Sequence, residues 1–183
     1  MTGIDLMNAA SSSIIGNSII NCEYAAISLW DSSHIAISNN TINTSMTGIV
    51  ALSSISGNST IIGNSISNCE YAISLWDASH VAIWNNYISD NSDIGMQLSN
   101  MSFADIRGNI VNGNEGVGIL LLEGGFDTKI VNNTVKGNDG GGIILTGSDD
   151  TLIVGNTLDS NKGRGISLCV EGFTVNGAGA NNE

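Results

Sequence analysis

A repeat of about 23 residues runs through most of the 183-residue chain and restricts its possible folds more than any other feature. In each repeat an aliphatic residue is followed, after one intervening residue, by a leucine. The leucines are Leu6, Leu29, Leu52, Leu75, Leu98, Leu121, Leu145 and Leu168. Six of the seven steps between them are 23 residues long and one is 24. A fixed period of about 20 to 50 residues is typical of solenoids and related repeat proteins.

Two further sets of positions repeat with the same period. The first set consists only of isoleucine: Ile14, Ile37, Ile61, Ile83, Ile106, Ile130 and Ile153. The second set consists only of asparagine, each followed two residues later by an aliphatic residue: Asn17, Asn40, Asn64, Asn86, Asn109, Asn133 and Asn156. Each repeat therefore contains three short segments in which apolar and other residues alternate. This pattern predicts three β-strands per repeat, because helical repeats would show apolar positions about 3.6 residues apart.

Strands that repeat in this way stack in parallel on their equivalents about 4.8 Å away, so each set becomes a ladder of like side chains. Isoleucine suits such a ladder because β-branched side chains pack well on a pleated surface. Asparagine tolerates the left-handed conformation of a tight corner, and stacked amides can hydrogen-bond from coil to coil. Proline is absent from the chain, and it would remove a backbone donor from any strand. The sequence predicts an all-β, right-handed parallel β-helix solenoid of about eight coils, its handedness following from the general preference of parallel crossovers.

The repeat predicts a single solenoid over residues 1–175 and a flexible C-terminal tail over 176–183. Neither end carries a polar cap, so we expect a fragment of a longer chain, or ends that are covered by another copy or a flanking domain. Within the solenoid, Ser12–Ile42 and Ser59–Ile88 are near copies, which indicates a duplication of two coils. Cys22 and Cys69 then lie about 9.6 Å apart. Because a disulfide requires Cα atoms within about 7 Å, we expect both thiols to be reduced.

The charge distribution excludes two classes of partner. The chain has a net charge of −12 and no Lys or Arg before Arg107. Nucleic acids and anionic membrane surfaces are bound by clustered cations, so neither is expected as a partner. The apolar stretches are far shorter than the ~20 residues that span a bilayer, so no membrane span is expected. The N-terminus lacks the charged and apolar regions of a signal peptide.

The Leu, Ile and Asn sets together resemble the right-handed parallel β-helix repeat family, which includes pectate-lyase-like proteins and NosD-type periplasmic proteins. The resemblance covers Gly3 to about Val175. It implies the solenoid fold and an extracellular, cell-surface or periplasmic location. It does not imply one activity, because the same coil carries lyases, hydrolases, epimerases and structural spacers, and function must be argued from a site.

One edge of the predicted solenoid carries two copies of a Trp-Asp-x-x-His phrase. The copies occupy equivalent places two coils apart, and an acidic residue follows after two further coils. Aromatic faces can stack on pyranose rings, and carboxylates can accept hydrogen bonds from sugar hydroxyls. The alternative interpretation is that the duplication copied a turn whose Trp and His pack over the coil edge. The candidate substrate-binding residues are Trp30, Asp31, His34, Trp76, Asp77, His80 and Glu123.

No catalytic residue can be assigned from the sequence. Glycosidase carboxylates lie about 5–5.5 Å or about 6.5–9.5 Å apart, and acids two coils apart reach or exceed the upper limit. No metal site or cofactor is indicated, although Asp77, Asn100 and Glu123 on successive coils could share Ca²⁺ through their oxygens. Asp149 and Asp150 resemble the paired aspartates of polygalacturonases, but the Gly-His-Gly and Arg-Ile-Lys motifs of that family are absent.

Several apolar residues are predicted to face away from the core. Residues such as Ile62, Val131 and Leu122 point away from the predicted core, and apolar surface of this kind usually marks a partner or a covering segment. Self-association, or a flanking domain that covers this surface, is the simplest account. The sequence thus favours an extracytoplasmic or cell-surface β-helix module that is structural or self-associating and binds carbohydrate along one edge. The alternative is a polysaccharide-active enzyme, namely a uronate lyase, an epimerase or a glycoside hydrolase, so enzymatic activity stays open.

Overall fold

The protein is described by a computed structural model that covers residues 1–53, 55–123, 126–147 and 150–169, and the backbone of 175–176 and 179–181. These residues form 22 β-strands and no helix, so the described part of the chain contains no helix able to cross a membrane. In chain order the strands are β1 (Ile4–Met7), β2 (Ser13–Ile15), β3 (Ser18–Trp30), β4 (Ala36–Ser38), β5 (Thr41–Ala51), β6 (Thr60–Ile62), β7 (Ser65–Ser67), β8 (Tyr71–Trp76), β9 (Ala82–Trp84), β10 (Tyr87–Ser89), β11 (Met96–Ser99), β12 (Asp105–Arg107), β13 (Ile110–Asn112), β14 (Val117–Leu122), β15 (Lys129–Val131), β16 (Thr134–Lys136), β17 (Gly141–Thr146), β18 (Leu152–Val154), β19 (Thr157–Asp159), β20 (Ile166–Cys169), β21 (Val175–Asn176) and β22 (Gly179–Asn181).

The strands stack in parallel as three ladders, which confirms the predicted β-solenoid. The first ladder runs through β1, β3, β5, β8, β11, β14, β17 and β20, and the third through β3, β5, β7, β10, β13, β16, β19 and β22. These two ladders form one 14-stranded sheet, because β3 and β5 each pass through the corner between them without a break. The second ladder is a separate 8-stranded sheet of β2, β4, β6, β9, β12, β15, β18 and β21.

The predicted isoleucine set forms the inner face of the second sheet. Its members pair in register from Ile14 to Ile153. Ile14 is 6% exposed and every other member is at most 1% exposed. Because burying one such side chain contributes about 1.5–3 kcal/mol, this ladder is a main source of stability.

The leucine set is confirmed except at its third member. Leu29 pairs with Ala51, and Ala51 pairs with Leu75, so Ala51 holds the inward position that was predicted for Leu52. The cause is a bulge in β3 between Cys22 and Ala25, where β3 has one residue more than the strand it pairs with. Beyond the bulge, each residue of β3 therefore pairs with a residue of β5 that lies one position earlier than the regular repeat predicts. Leu52 therefore follows the ladder and faces outward, in the position equivalent to the two tryptophans.

The asparagine set forms an amide ladder along the corner between the second and third ladders, and this ladder is buried from Asn40 onward. Each side-chain nitrogen donates to the side-chain oxygen one coil on, at 2.9 to 3.0 Å, from Asn17 to Asn156. The expected left-handed conformation falls one residue earlier than predicted. At this corner the residues with positive φ are Gly16, Asn39, Gly63, Asn85, Gly108, Asn132 and Gly155. The ladder position thus requires asparagine for the hydrogen bonds of its side-chain amide. The position before it requires a residue that tolerates the left-handed conformation, which is Gly or Asn in every coil.

A second amide ladder, which the sequence reasoning missed, lies at the corner between the third and first ladders. Its side chains bond from coil to coil at 2.8 to 2.9 Å and are at most 6% exposed. Its members are Asn91, Asn114, Asn138 and Asn161. Two amide ladders therefore stabilise two of the three corners of each later coil.

In the coils that precede this second ladder, the equivalent positions are occupied by Cys22, Ser45 and Cys69. Cys22 pairs with Ser45, and the Cys69 amide donates to the Asn91 side chain. All three cysteines of the chain are free thiols, with Cys69 buried and Cys169 exposed. Burial raises the pKa of the Cys69 thiol, and the nearby Cys22 raises it further, against an opposing backbone hydrogen bond at Ser45.

We expect Cys69 to resist thiol reagents while the protein is folded, because thiolate is the reacting form and burial disfavours it. A protein carrying Cys22→Ser and Cys169→Ser retains Cys69 alone. At pH 8 it should react with Ellman's reagent only after denaturant is added, whereas wild type should react at once through Cys169. Rapid labelling of the double variant in buffer would contradict this placement of Cys69.

Of the expected tail at 176–183, the structure describes Asn176 and Gly179–Asn181. Their backbone adds a last strand to each sheet: β21 pairs with β18, and β22 pairs with β19. The flexibility of the segment stays a prediction.

Candidate functional site

Trp30 and Trp76 end equivalent strands of the first ladder and present their indole rings at its outer edge. They are 36% and 38% exposed. The Trp30 indole N–H donates to Ser28 Oγ at 2.9 Å, and that of Trp76 donates to Ser74 Oγ at 3.2 Å. Both serines are buried. Because the polar edge of each indole is already bonded within the protein, the surface left to solvent is mainly apolar ring.

Leu52 lies between the two tryptophans in the same outward position, since Leu29, Ala51 and Leu75 precede the three residues in register. We call Trp30, Leu52 and Trp76 the tryptophan strip. The two rings are two coils, or about 9.6 Å, apart along the solenoid axis. The strip thus offers two matched apolar faces at a fixed spacing.

The acidic candidates occupy the turn directly after this strip. Asp31, Asp77 and Glu123 all have positive φ, at 45°, 53° and 48°. Aspartate tolerates this left-handed conformation better than most residues, so turn geometry accounts for part of the acidic pattern. The side chains of Asp31 and Asp77 are exposed beside their tryptophans, which leaves their carboxylates available to a ligand.

The possible Ca²⁺ ligands are not arranged to share an ion. The Asn100 side-chain nitrogen donates to Asp77 Oδ1 at 2.6 Å, so Asn100 turns its amide nitrogen, and not its oxygen, toward the carboxylate. Ca²⁺ takes only oxygen ligands. Among the described residues, no group of three or more His, Cys, Asp or Glu side chains is placed to hold a metal.

The two histidines occupy a second left-handed corner, three residues after the acids, with φ of 55° at His34 and 54° at His80. The His34 imidazole lies against Gly57 of the next coil, where a Cβ would approach His34 Cε1 to 2.5 Å. The His80 ring stacks on Phe103 with centroids 4.7 Å apart and an interplanar angle of 21°. His80 also lines a depression formed with residues of the second sheet.

The structure therefore divides the seven candidate residues into two groups. The tryptophans and acids lie at the edge of the first ladder, whereas His80 contacts the next coil at the border of the second sheet. All seven belong to the described residues, and no hydrogen bond, ion pair or ring contact joins any two of them. The seven residues therefore do not form one cluster of mutually contacting side chains.

The depression beside His80 was not predicted from the sequence. It has a volume of about 310 Å³ and is walled by Trp84, Phe103 and His80, with Asn58, Thr60 and Asp105 at its polar margin. An adjoining depression of about 370 Å³ shares Phe103 and Asp105 and extends to Asp127 and Lys129. We call the first of these the aromatic depression. One sequence feature could have indicated this depression. His80 and Phe103 are 23 residues apart, so two aromatic rings occur at the same corner of successive coils.

Arg107 lies beside this depression, because it contacts two of the residues that line it, Asp105 and Trp84. Its guanidinium bonds Asp105, with Nη2 2.8 Å from Oδ2, and lies 5.8 Å from the centroid of the Trp84 ring. The Trp84 indole nitrogen is buried and has no hydrogen-bond partner among the residues that the structure describes.

A further titratable cluster lies at the corner between the third and first ladders. Tyr71 has Glu70 and Asp93 as neighbours, and its own burial, followed by these carboxylates, raises the pKa of its phenol. A phenol with a raised pKa stays protonated near neutral pH, so it can donate a hydrogen bond but is a poor general base.

Two remaining predictions concern the aspartate pair and the apolar surface. Asp149 lies outside the described residues, so the pair with Asp150 cannot be placed.

The outward apolar residues are less exposed than expected, because stacked neighbours cover one another. Leu120, Leu122, Ile144, Ile62, Val131 and Val154 are all half-buried. After Met1, the most exposed apolar side chains of the early coils are those of Met7, Ile15 and Ile20, at 66%, 57% and 58%.

Comparison with solved structures shows the same fold in a mannuronan C-5 epimerase module. The chain is similar to the A-module of the mannuronan C-5 epimerase AlgE6 of Azotobacter vinelandii, with a TM-score of 0.63 at 14% identity. The match covers 95% of this chain and 52% of that one, so the chain spans about half the length of the epimerase module. The catalytic domain of a GH87 alpha-1,3-glucanase, solved with tetrasaccharides, matches at a TM-score of 0.47 and 17% identity over 80% of this chain and 34% of that one.

Comparison with the curated proteins gave no match. A family model described as "Right handed beta helix region" matches residues 2–158, which is most of the chain. The match agrees with the parallel ladders and the amide-bonded corners seen in the structure. The chain belongs to this right-handed β-helix family.

Proposed function

We propose that the chain is an extracytoplasmic or cell-surface β-helix module that binds carbohydrate along the edge formed by the tryptophan strip. The observation that carries the proposal is the pair of exposed indole rings whose N–H groups are already bonded to Ser28 and Ser74. Such rings offer flat apolar faces to the C–H side of a pyranose at little desolvation cost. The fold likeness to the epimerase module is consistent with this class of ligand.

The geometry suits an extended glycan that lies along the solenoid axis. The rings are two coils, or about 9.6 Å, apart, which is near the spacing of alternate residues in an extended polysaccharide. Asp31 and Asp77 follow the tryptophans directly and can accept hydrogen bonds from sugar hydroxyls, with Glu123 two coils beyond. In this proposal His34 and His80 lie at the opposite end of the turns that begin with Asp31 and Asp77, away from the tryptophans.

The test is binding of the full chain to a glycan array, followed by titration of the best ligand. Replacing Trp30 and Trp76 by alanine should weaken binding at least tenfold, because two aromatic contacts of about 0.5–1.5 kcal/mol are lost in addition to buried area. Tyr87→Ala is the matched control, since Tyr87 is also an exposed aromatic residue but lies on the third ladder. Unchanged binding by the tryptophan variant would refute the proposed site.

A polysaccharide-active enzyme is the second candidate, and the fold likeness to the epimerase module is what favours it. The arrangement of acids speaks against a glycosidase, since Asp31, Asp77 and Glu123 are each two coils apart. The two candidates separate in an assay on a panel of uronate polysaccharides, with and without Ca²⁺. A binding module leaves unsaturated products, reducing ends and the C-5 configuration unchanged. Turnover in any of these readouts would establish the enzyme instead.

We also propose that the module self-associates or packs against flanking domains. The exposed side chains of Met7, Ile15 and Ile20 supply apolar surface on all three faces of the first coil. Sedimentation equilibrium should give a mass that rises with concentration, and Ile15→Ser with Ile20→Ser should lower it. A constant monomer mass at high concentration would contradict self-association.

A further inference from the structure

We propose that the aromatic depression is a second carbohydrate site, specific for neutral glycans. It is lined by Trp84, His80 and Phe103 and lies on the second sheet, away from the tryptophan strip. The inference does not rest on the proposed function, because the tryptophans and acids of the first surface do not line the depression, and His80 alone borders both. Either site can bind while the other does not.

Size and shape are the first argument. The volume of about 310 Å³ is at the lower end of the range of small-ligand sites, roughly 300–1,000 Å³. The stacked rings of His80 and Phe103 form one wall at the corner, and Trp84 projects from the sheet to form another. Two aromatic walls around a depression of this size fit a ring-shaped ligand with an apolar face.

Unused hydrogen-bonding groups are the second argument. The side chains of Asn58, Thr60 and His80 line the depression, and none of them has a side-chain hydrogen bond to another described residue. A ligand rich in hydroxyl groups would supply partners to these donors and acceptors, which a purely apolar ligand would not.

Local charge is the third argument and selects a neutral ligand. The whole chain carries a net charge of −12, which repels polyanions. At this site the charges cancel: Arg107 neutralises Asp105, and Lys129 stands beside Asp127 in the adjoining depression. The site therefore has no excess of cations with which to attract a uronate.

The adjoining depression indicates an oligosaccharide and not a single sugar. Because the two depressions share Phe103 and Asp105, they form one trough from Asn58 to Lys129. This trough crosses three coil steps, which correspond to about 14 Å along the axis.

The experiment uses the full chain with Trp30→Phe and Trp76→Phe, so that Trp84 is the only tryptophan. Its fluorescence is titrated with neutral hexasaccharides (cello-, laminari-, malto- and mannohexaose) and with a hexagalacturonate. We expect at least one neutral hexasaccharide to shift the Trp84 emission saturably, and the hexagalacturonate to bind at least tenfold more weakly. No shift with any neutral ligand, or tighter binding of the hexagalacturonate, would overturn the proposal.

A second variant places the ligand in the trough. Phe103→Asn removes the aromatic wall, and asparagine tolerates the left-handed φ of 54° at this corner. It should raise the dissociation constant at least tenfold without changing the thermal unfolding midpoint by more than a few degrees. Phe126→Asn, which alters an exposed aromatic residue outside the wall of the aromatic depression, is the control. Equal binding by Phe103→Asn and its parent would overturn the site.

Discussion

Replacing Asn109 by alanine should lower the free energy of unfolding by about 3 kcal/mol or more. Asn109 is fully buried at the centre of the first amide ladder. Its oxygen accepts from the backbone N–H and the side-chain nitrogen of Asn86, both within 3.0 Å. Its nitrogen donates to the Ile83 carbonyl at 2.8 Å and to the Asn133 side chain at 2.9 Å. Alanine removes all four bonds and leaves buried groups without partners.

The measurement is equilibrium unfolding in urea for both the variant and a control. Asn112→Ala alters an asparagine three residues later that is only half-buried and has no side-chain hydrogen bond to another described residue. It should cost less than about 1 kcal/mol. If both substitutions cost the same, the amide ladder is not a main source of stability.

Gly118→Val should be comparably damaging, at about 3 kcal/mol or more, because overpacking a closed site forces backbone movement. Gly118 begins the inward face of β14, against the second amide ladder. A Cβ at this position would lie 2.5 Å from Val135 Cγ1, 2.9 Å from the Gly142 carbonyl oxygen and 3.0 Å from Asn138 Nδ2. The Gly142 oxygen belongs to the neighbouring coil and cannot retreat without breaking the parallel pairing.

Leu120→Val on the same strand provides the control, because Leu120 points outward and is half-buried. It should cost about 1 kcal/mol or less. Thermal unfolding followed by far-ultraviolet circular dichroism compares the two. A Gly118→Val protein with the midpoint of the control would show that the coils tolerate wider spacing at this corner.

The fold could be predicted from the sequence because every coil repeats the same inward positions. Ile106 and Asn109, for example, recur with unchanged identity in all seven repeats of their sets. Leu52 was misplaced because a bulge between Cys22 and Ala25 shifts one coil, and a bulge leaves no mark in a regular spacing of leucines. The second amide ladder was missed because Cys69, Ser45 and Cys22 hold its positions in the early coils.

The candidate site was less predictable, because it depends on side-chain directions at corners. Outward projection of Trp30 and Trp76 follows from strand alternation, and the structure places both at the surface. The stacking of His80 on Phe103 depends on two left-handed corners in adjacent coils, which alternation does not specify. The aromatic depression follows from that stacking and so became visible only in three dimensions.

Acrylamide quenching of a protein with Trp84→Phe tests the central claim, carbohydrate binding by the tryptophan strip, most directly. Its only tryptophans are then Trp30 and Trp76, both more than a third exposed. A saturating amount of the array-selected glycan should reduce the quenching constant of both rings at least twofold, because a stacked sugar excludes the quencher. An unchanged quenching constant, with the glycan shown to be bound, would contradict the claim.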